Sequence, residues 1–118
     1  MAYLPTMRKA ASLKKSKEKS KAVLRSTVVK AMAHPTRLLF MELLMGGEQC
    51  VCELTEAAGC DVTTVSKHLA VMKKAGLLVC EKRGLNVYYQ IACPCFGEFF
   101  RCIDLISFSR RECLRPAC

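Results

Sequence analysis

The residues with the most chemistry to offer are the nine cysteines of this 118-residue chain. Two pairs stand one residue apart, Cys50-Val51-Cys52 and Cys93-Pro94-Cys95, and Cys102 follows Cys95 on the same helix side, seven residues on. Thiolates are soft ligands, suited to As(III), Sb(III), Cd(II), Pb(II) or Zn(II). An odd count cannot pair completely within one molecule, and a reducing compartment disfavours a disulfide framework, which leaves soft-ion binding or thiol redox chemistry. Thiolates at i and i+2 cannot face one way inside a regular helix, so the first pair belongs at a helix start or on a backbone that a bound ion distorts. Such close cysteines form a strained disulfide loop but a natural chelate. Cys80 alternates within a strand and reads as packing, while Cys113 and Cys118 fall in a C-terminal tail where an added ligand or an inert thiol are both open. No cysteine has a histidine and a carboxylate at motif spacing, so an enzyme is not expected.

The elements that must position these thiols centre on residues 50–76, CVCELTEAAGCDVTTVSKHLAVMKKAG. The stretch reads as two helices joined at Gly59-Cys60-Asp61, with the first thiol pair at the entrance to the first helix. Beyond the turn, Val62, Val65, Leu69 and Met72 recur at helical spacing as a buried stripe, leaving Thr63, Thr64, Ser66, Lys67 and His68 outward. Hydrogen-bonding side chains with a cation are what a helix laid in a DNA major groove needs. Gly76 closes this helix, and Lys73-Lys74 suit its negative end.

Upstream, residues 21–32 fit a helix that ends at His34-Pro35, and residues 36–45 form a second one, apolar on nearly all sides and stopped by Gly46-Gly47. His34 reads as a helix cap or core residue rather than a ligand. Downstream, residues 77–82 and 87–91 read as a β-hairpin whose tip carries Lys82 and Arg83, a placement suited to phosphates or the minor groove. After Pro94, Phe96, Phe99, Phe100, Ile103 and Ile106 share one stripe of a last helix reaching about Arg110, broad enough to serve as a subunit interface as well as core. The expected fold is mainly α with a small β-hairpin, its helices packed around a helix-turn-helix. Three regions follow: a basic tail without firm structure over 1–19, a DNA-binding domain with dimerisation helices over 20–111, and a cysteine-containing tail over 112–118.

The net charge of +9 is unevenly placed: residues 1–30 carry nine Lys/Arg against the single Glu18, and the rest of the chain is nearly balanced. A basic leader either seeks DNA, adding counterion-release affinity, or is simply solvated. No apolar run approaches the ~20 residues of a membrane span, and the lysine-studded start lacks an apolar signal core, so a cytoplasmic protein is expected.

Helices, a helix-turn-helix, a basic hairpin and a closing helix are the order of a winged helix-turn-helix. The segments AMAHPTRLLFMELL, CVCEL, VSKHLAVMKKAGLL and KRGLNVYYQI, covering roughly Lys30 to Ile91, resemble the ArsR/SmtB family of metal-sensing transcriptional repressors. The resemblance implies a homodimer that holds operator DNA until a metal or metalloid binds, with no cofactor needed for DNA binding. It assigns base reading to the helix with Thr63, Thr64, Ser66, Lys67 and His68, and the wing to Lys82, Arg83 and Gly84. Cys50 and Cys52 sit where the family's arsenic and cadmium sensors carry a thiolate pair. The third thiol of the family's arsenic pattern is here Thr55. Cys93-Pro94-Cys95 begins where zinc-sensing members place an Asp-x-His pair, and the later His and Glu of that pattern are Ile106 and Ser109, so a nitrogen and oxygen zinc site is not expected and a thiolate version through Cys93, Cys95 and Cys102 stays open. The expected function is a repressor released by a soft ion, As(III) foremost. Alternatives are a repressor switched by disulfide or persulfide chemistry, and a zinc-stapled interaction protein without an operator.

Overall fold

The computed structural model describes the backbone of residues 5–108 and the side chains of residues 14–108. Cys113, Cys118 and the expected extension of the last helix to Arg110 lie outside the described residues.

Helix α1 spans Pro5–Met32, so it begins well before the expected Lys21. Much of the stretch expected to lack firm structure is helical. The physical reason is in its residues: from Thr6 to Met32 there is neither glycine nor proline, Ala, Lys, Met and Leu are good helix formers, and Pro5 is preset for a first turn. The lysines from Lys14 to Lys21 are exposed on this helix, and the chain reaches the core at Ala31 and Met32, with Val28 half-buried against it.

Helix α2 spans Pro35–Met45. His34 caps it with extended backbone, its Nδ1 accepting from the Thr36 N–H at 3.1 Å. Phe40, Met41 and Leu44 are buried, while Leu38, Leu39 and Leu43 are half-buried. A two-residue strand β1, Gln49–Cys50, leads into helix α3, Val51–Ala58. Gly59 ends α3 with φ +67°, its N–H donating to the Thr55 carbonyl at 3.1 Å. A left-handed cap of this kind suits glycine because no Cβ meets the backbone. Helix α4, Val62–Lys74, starts at Asp61, whose carboxylate accepts from the Thr64 N–H at 3.3 Å and from the Thr64 hydroxyl at 2.6 Å.

Strands β2, Leu78–Arg83, and β3, Asn86–Ile91, pair antiparallel from Leu78↔Ile91 to Arg83↔Asn86. Gly84 has φ +63° at the first central position of their two-residue loop, where the hairpin turn favours glycine. β1 joins the far side of β3 through Gln49↔Tyr89 and Cys50↔Tyr88, giving a three-stranded sheet in the order β1-β3-β2. Helix α5 is Phe96–Phe108, with Phe96 and Phe100 packed on the core and none of its residues fully buried.

The core brings Met32 of α1, Phe40 and Met41 of α2, Leu54 of α3 and Val65, Leu69 and Met72 of α4 into one cluster closed by Leu77 and Leu78. Removing each of these large side chains from water is worth about 1.5–3 kcal/mol. The expected stripe on α4 is three residues deep: Val62, in its first turn, is 56% exposed. No helix among the described residues is long and apolar enough to cross a membrane.

Candidate nucleic-acid interface and thiol site

Burying Val65, Leu69 and Met72 fixes the roll of α4 about its axis, and that roll decides what it presents. Thr63, Ser66 and Lys67 are exposed. Thr64 is half-buried and its hydroxyl is committed to Asp61, so it locks the start of the helix. The hydrogen bonds from the Thr64 hydroxyl and backbone hold the Asp61 carboxyl below its ordinary range.

His68 differs from the expectation of an outward residue. It is half-buried, with the Arg37 Nε donating to its Nδ1 at 3.0 Å and the His34 ring centroid 4.4 Å away. Burial, then the neighbouring His34 and Arg37 charges, push its pKa down. Arg37 also donates to the Ala31 carbonyl at 3.4 Å, so one guanidinium ties the end of α1 and the start of α2 to the exposed helix. A neutral imidazole accepting at Nδ1 carries its proton on Nε2, which leaves one donor available. Sequence reasoning missed Arg37, because the residues it joins are thirty-one positions apart.

Lys82 is exposed on the wing. Arg83, expected beside it as a free cation, is engaged: it pairs with Glu48 at 2.6 and 3.0 Å and with Glu81 at 2.9 Å, and lies 4.8 Å from the Tyr88 ring centroid. Gln90 donates to Glu48 at 3.0 Å. These bonds raise the Arg83 pKa, and those from Arg83 and then Gln90 lower that of Glu48. Glu48 was also missed, since only the pairing of β1 with β3 carries it to the wing.

The first thiol pair falls at a helix start, as its spacing requires. Cys50 is buried at 8% exposure, caps α3, and its N–H meets the Glu53 carboxylate at 3.4 Å. The Glu53 N–H draws its thiol pKa down, but the Glu53 carboxylate, burial and the contacting Cys52 thiol together raise it. Cys52 is exposed, and its thiol donates to the Asn86 Oδ1 at the base of the wing turn at 3.8 Å. Thr55 donates its hydroxyl to the Val51 carbonyl at 2.7 Å.

The second pair is exposed ahead of α5, with Cys102 exposed on that helix. Hydrogen bonds from the Cys95 side chain and backbone lower the Cys93 pKa, while the bond to Cys93 raises that of Cys95. Cys80 is half-buried, and its bond to Lys73 raises the lysine's pKa, a contact that its reading as plain packing does not contain. Among the described residues, no group of three or more His, Cys, Asp or Glu side chains is placed to hold a metal ion.

A recognition-type helix with an exposed polar face, flanked by a cationic hairpin and seated on a helical core, defines a winged helix-turn-helix regulator that binds DNA. The chain belongs to the arsR family of bacterial regulatory proteins, whose model matches residues 34–79. It is 33% identical over 78 residues to an HTH-type transcriptional regulator of Methanocaldococcus jannaschii, covering 65% of this chain and 88% of that one. It is 30% identical over 88 residues to the arsenical resistance operon repressor of Staphylococcus xylosus, covering 75% and 85%. With the arsenic resistance transcriptional regulator ArsR1 of Pseudomonas putida the identity is 42% over 66 residues, 54% of this chain and 51% of that one. The fold is similar to the homodimeric winged helix-turn-helix DNA-binding domain of a Mycobacterium bovis regulator, with TM-score 0.71 and 27% identity over 84% of this chain and 92% of that one. The family consists of transcriptional regulators, so the chain is not an enzyme, and a zinc-stapled protein without an operator does not fit it.

Proposed function

We propose that this protein is a metal(loid)-responsive repressor that holds operator DNA as a homodimer and releases it when Cys50 and Cys52 coordinate a soft ion, As(III) foremost. The observation that carries the reading is the position of the thiol pair. Cys50 pairs with Tyr88 on a wing strand and caps α3, and Cys52 touches Asn86 at the wing turn. Drawing the two sulfurs onto one ion would shift the cap of α3 and the contact with the wing together. Thr63, Ser66 and Lys67 serve base and phosphate contacts, with Thr64 and His68 as positioning residues and Lys82 on the flanking phosphates. Relatives named as an arsenical resistance operon repressor and an arsenic resistance transcriptional regulator support the choice of ion.

A coupling of about 3 kcal/mol between ion and DNA reduces affinity roughly a hundredfold. The test is fluorescence anisotropy of a labelled duplex from the protein's own promoter region, titrated with arsenite and then cadmium under reducing conditions. Release that is lost in Cys50→Ser/Cys52→Ser supports the reading. Tight DNA binding that neither ion disturbs sinks it.

A second reading rests on Cys93 and Cys95, whose mutual hydrogen bond pushes one thiol toward thiolate and the other away. Such a pair suits attack on a peroxide or persulfide, with Cys102 as a resolving thiol or, in the metal reading, a third ligand. Release by peroxide in the reduced protein, lost in Cys93→Ser/Cys95→Ser, would favour it.

A further inference from the structure

Helix α1 is longer than its packing requires. From Lys14 to Met32, the side chains that reach the core are Val28, Ala31 and Met32, all in the last two turns. What the preceding turns carry is charge. Lys15, Lys19 and Lys30 are exposed, the second and third standing four and fifteen residues beyond the first. That spacing sets them within about 60° of one another around the helix and along about 22 Å of its axis. Glu18 is the one carboxylate of residues 1–30, and it turns away from this row to pair with Lys21 at 3.6 Å. Lys15 and Lys19 repel each other at i, i+4, and no acid on the row offsets them, so the row is a surface that an anion stabilises.

The row ends against the recognition helix. Thr27, Lys30 and Ala31 face Val71, Lys74 and Ala75 of α4 across a cleft of about 410 Å³. Arg37 fastens the junction, donating to the Ala31 carbonyl and to His68 of α4. Lys74, exposed in the last turn of α4, therefore continues the line of cations that α1 begins. We propose that Lys15, Lys19 and Lys30 form a second DNA-binding surface, which grips the phosphate backbone of duplex flanking the operator without reading its sequence. A row of about 22 Å runs beside about six phosphates of one strand. A continuous helix holds the cations at fixed spacing, so less chain entropy is lost on contact than with a disordered arm. Leu24 projects from nearly the opposite side of α1, so a second copy that covers it leaves the row open. The inference rests on the DNA-binding fold and on no choice of ion or thiol pair.

The experiment compares two labelled duplexes from the protein's own promoter region, one trimmed to the operator and one extended by about ten base pairs on each side, long enough to meet the row. Full-length protein is expected to bind the extended duplex roughly tenfold tighter at about 0.1 M salt, with a slope of log K against log salt steeper by about 0.9 for each phosphate gained. Scrambling the added flanks should change neither value. Lys15→Gln/Lys19→Gln is expected to erase the difference between the duplexes while leaving binding to the trimmed one intact. Lys14→Gln/Lys21→Gln removes the same charge from the other side of α1 and should keep the difference. Equal affinity and slope on the two duplexes overturn the inference for the unmodified protein. A difference erased equally by both pairs of substitutions overturns the row, since net charge alone then accounts for it. If the flanks have no effect and the row instead binds phosphatidylserine vesicles, with binding lost in Lys15→Gln/Lys19→Gln, the surface belongs to a membrane and the inference falls.

Discussion

Arg83 on the wing grips Glu48 through its two terminal guanidinium nitrogens, at 2.6 and 3.0 Å, across thirty-five residues of sequence. The wing's second cation is therefore occupied by a carboxylate before any DNA arrives. Phosphate and Glu48 compete for the same fork of donors. Glu48→Gln is expected to raise operator affinity and steepen its salt dependence, the slope of log K against log salt growing by about 0.9 for one added phosphate contact. Adding Arg83→Ala should remove the gain. Both side chains face solvent, so the ion pair contributes little to folding and the melting temperature should barely move. Binding isotherms at four salt concentrations decide it, and an unchanged slope in Glu48→Gln would count against the competition.

His68 gives the recognition helix a pH dependence with a definite sign. Its folded pKa lies below the ordinary value, through burial first and then the charges of His34 and Arg37. Near and below pH ~6.5 the unfolded chain then binds more protons than the folded one. The stability contributed by neutral His68 is whole above that pH and is lost as pH falls through it toward the folded value. The protein is expected to melt at lower temperature at about pH 5.5 than at about pH 7.5, and His68→Gln should shrink the difference. Nuclear magnetic resonance titration of the His68 ring checks the cause, since a value at or above the ordinary one would contradict the Arg37 contact, and Arg37→Met should raise it.

These two contacts mark where the sequence stops being legible. The 3.6-residue stripe of Val65, Leu69 and Met72 gives the roll of α4, Gly59 gives the turn before it, and the i, i+2 spacing of Cys50 and Cys52 gives a helix start. All of these are local, set by periodicity and backbone preference. Glu48 with Arg83, and Arg37 with His68, join residues more than thirty positions apart, and no local pattern announces which charges will meet. β1 escaped for a related reason: a two-residue strand has no period to read and exists only because β3 lies beside it. Residues 5–20 misled in the opposite way, because their lysines read as a solvated tail when a solvated helix has the same composition.

Leu54 is wholly buried on α3 and packs with Val65, Leu69 and Met72, so it fastens the thiol-bearing helix to the recognition helix. Leu54→Ala is expected to cost about 2–5 kcal/mol. That is a large part of the 5–15 kcal/mol available to a small domain. Gly59→Ala should cost about 1–2 kcal/mol, from its left-handed backbone alone, because open space surrounds the position where a Cβ would stand. Urea unfolding measures both, and the Gly59 variant should keep its thiol chemistry while the Leu54 variant loosens it.

The homodimer proposed above needs an apolar face on each copy. On α1, Leu24 is 70% exposed, and on α5, Ile106 and Phe108 are 62% and 82% exposed, although α1 closes on the core at Met32 and α5 starts on it at Phe96 and Phe100. Large apolar side chains left in water on two helices are what a second copy would cover. Leu24→Asp or Ile106→Asp is expected to convert a dimer to a monomer in sedimentation equilibrium without lowering the helical content of the isolated chain, since neither side chain supports the core. One recognition helix per molecule then reads a single half-site, and the loss of the second contact removes the effective-concentration gain of a linked pair. Operator affinity should fall by roughly a hundredfold or more in either variant. A variant that becomes monomeric yet keeps its operator affinity would show that one copy suffices, and would leave the exposed faces of α1 and α5 for another partner.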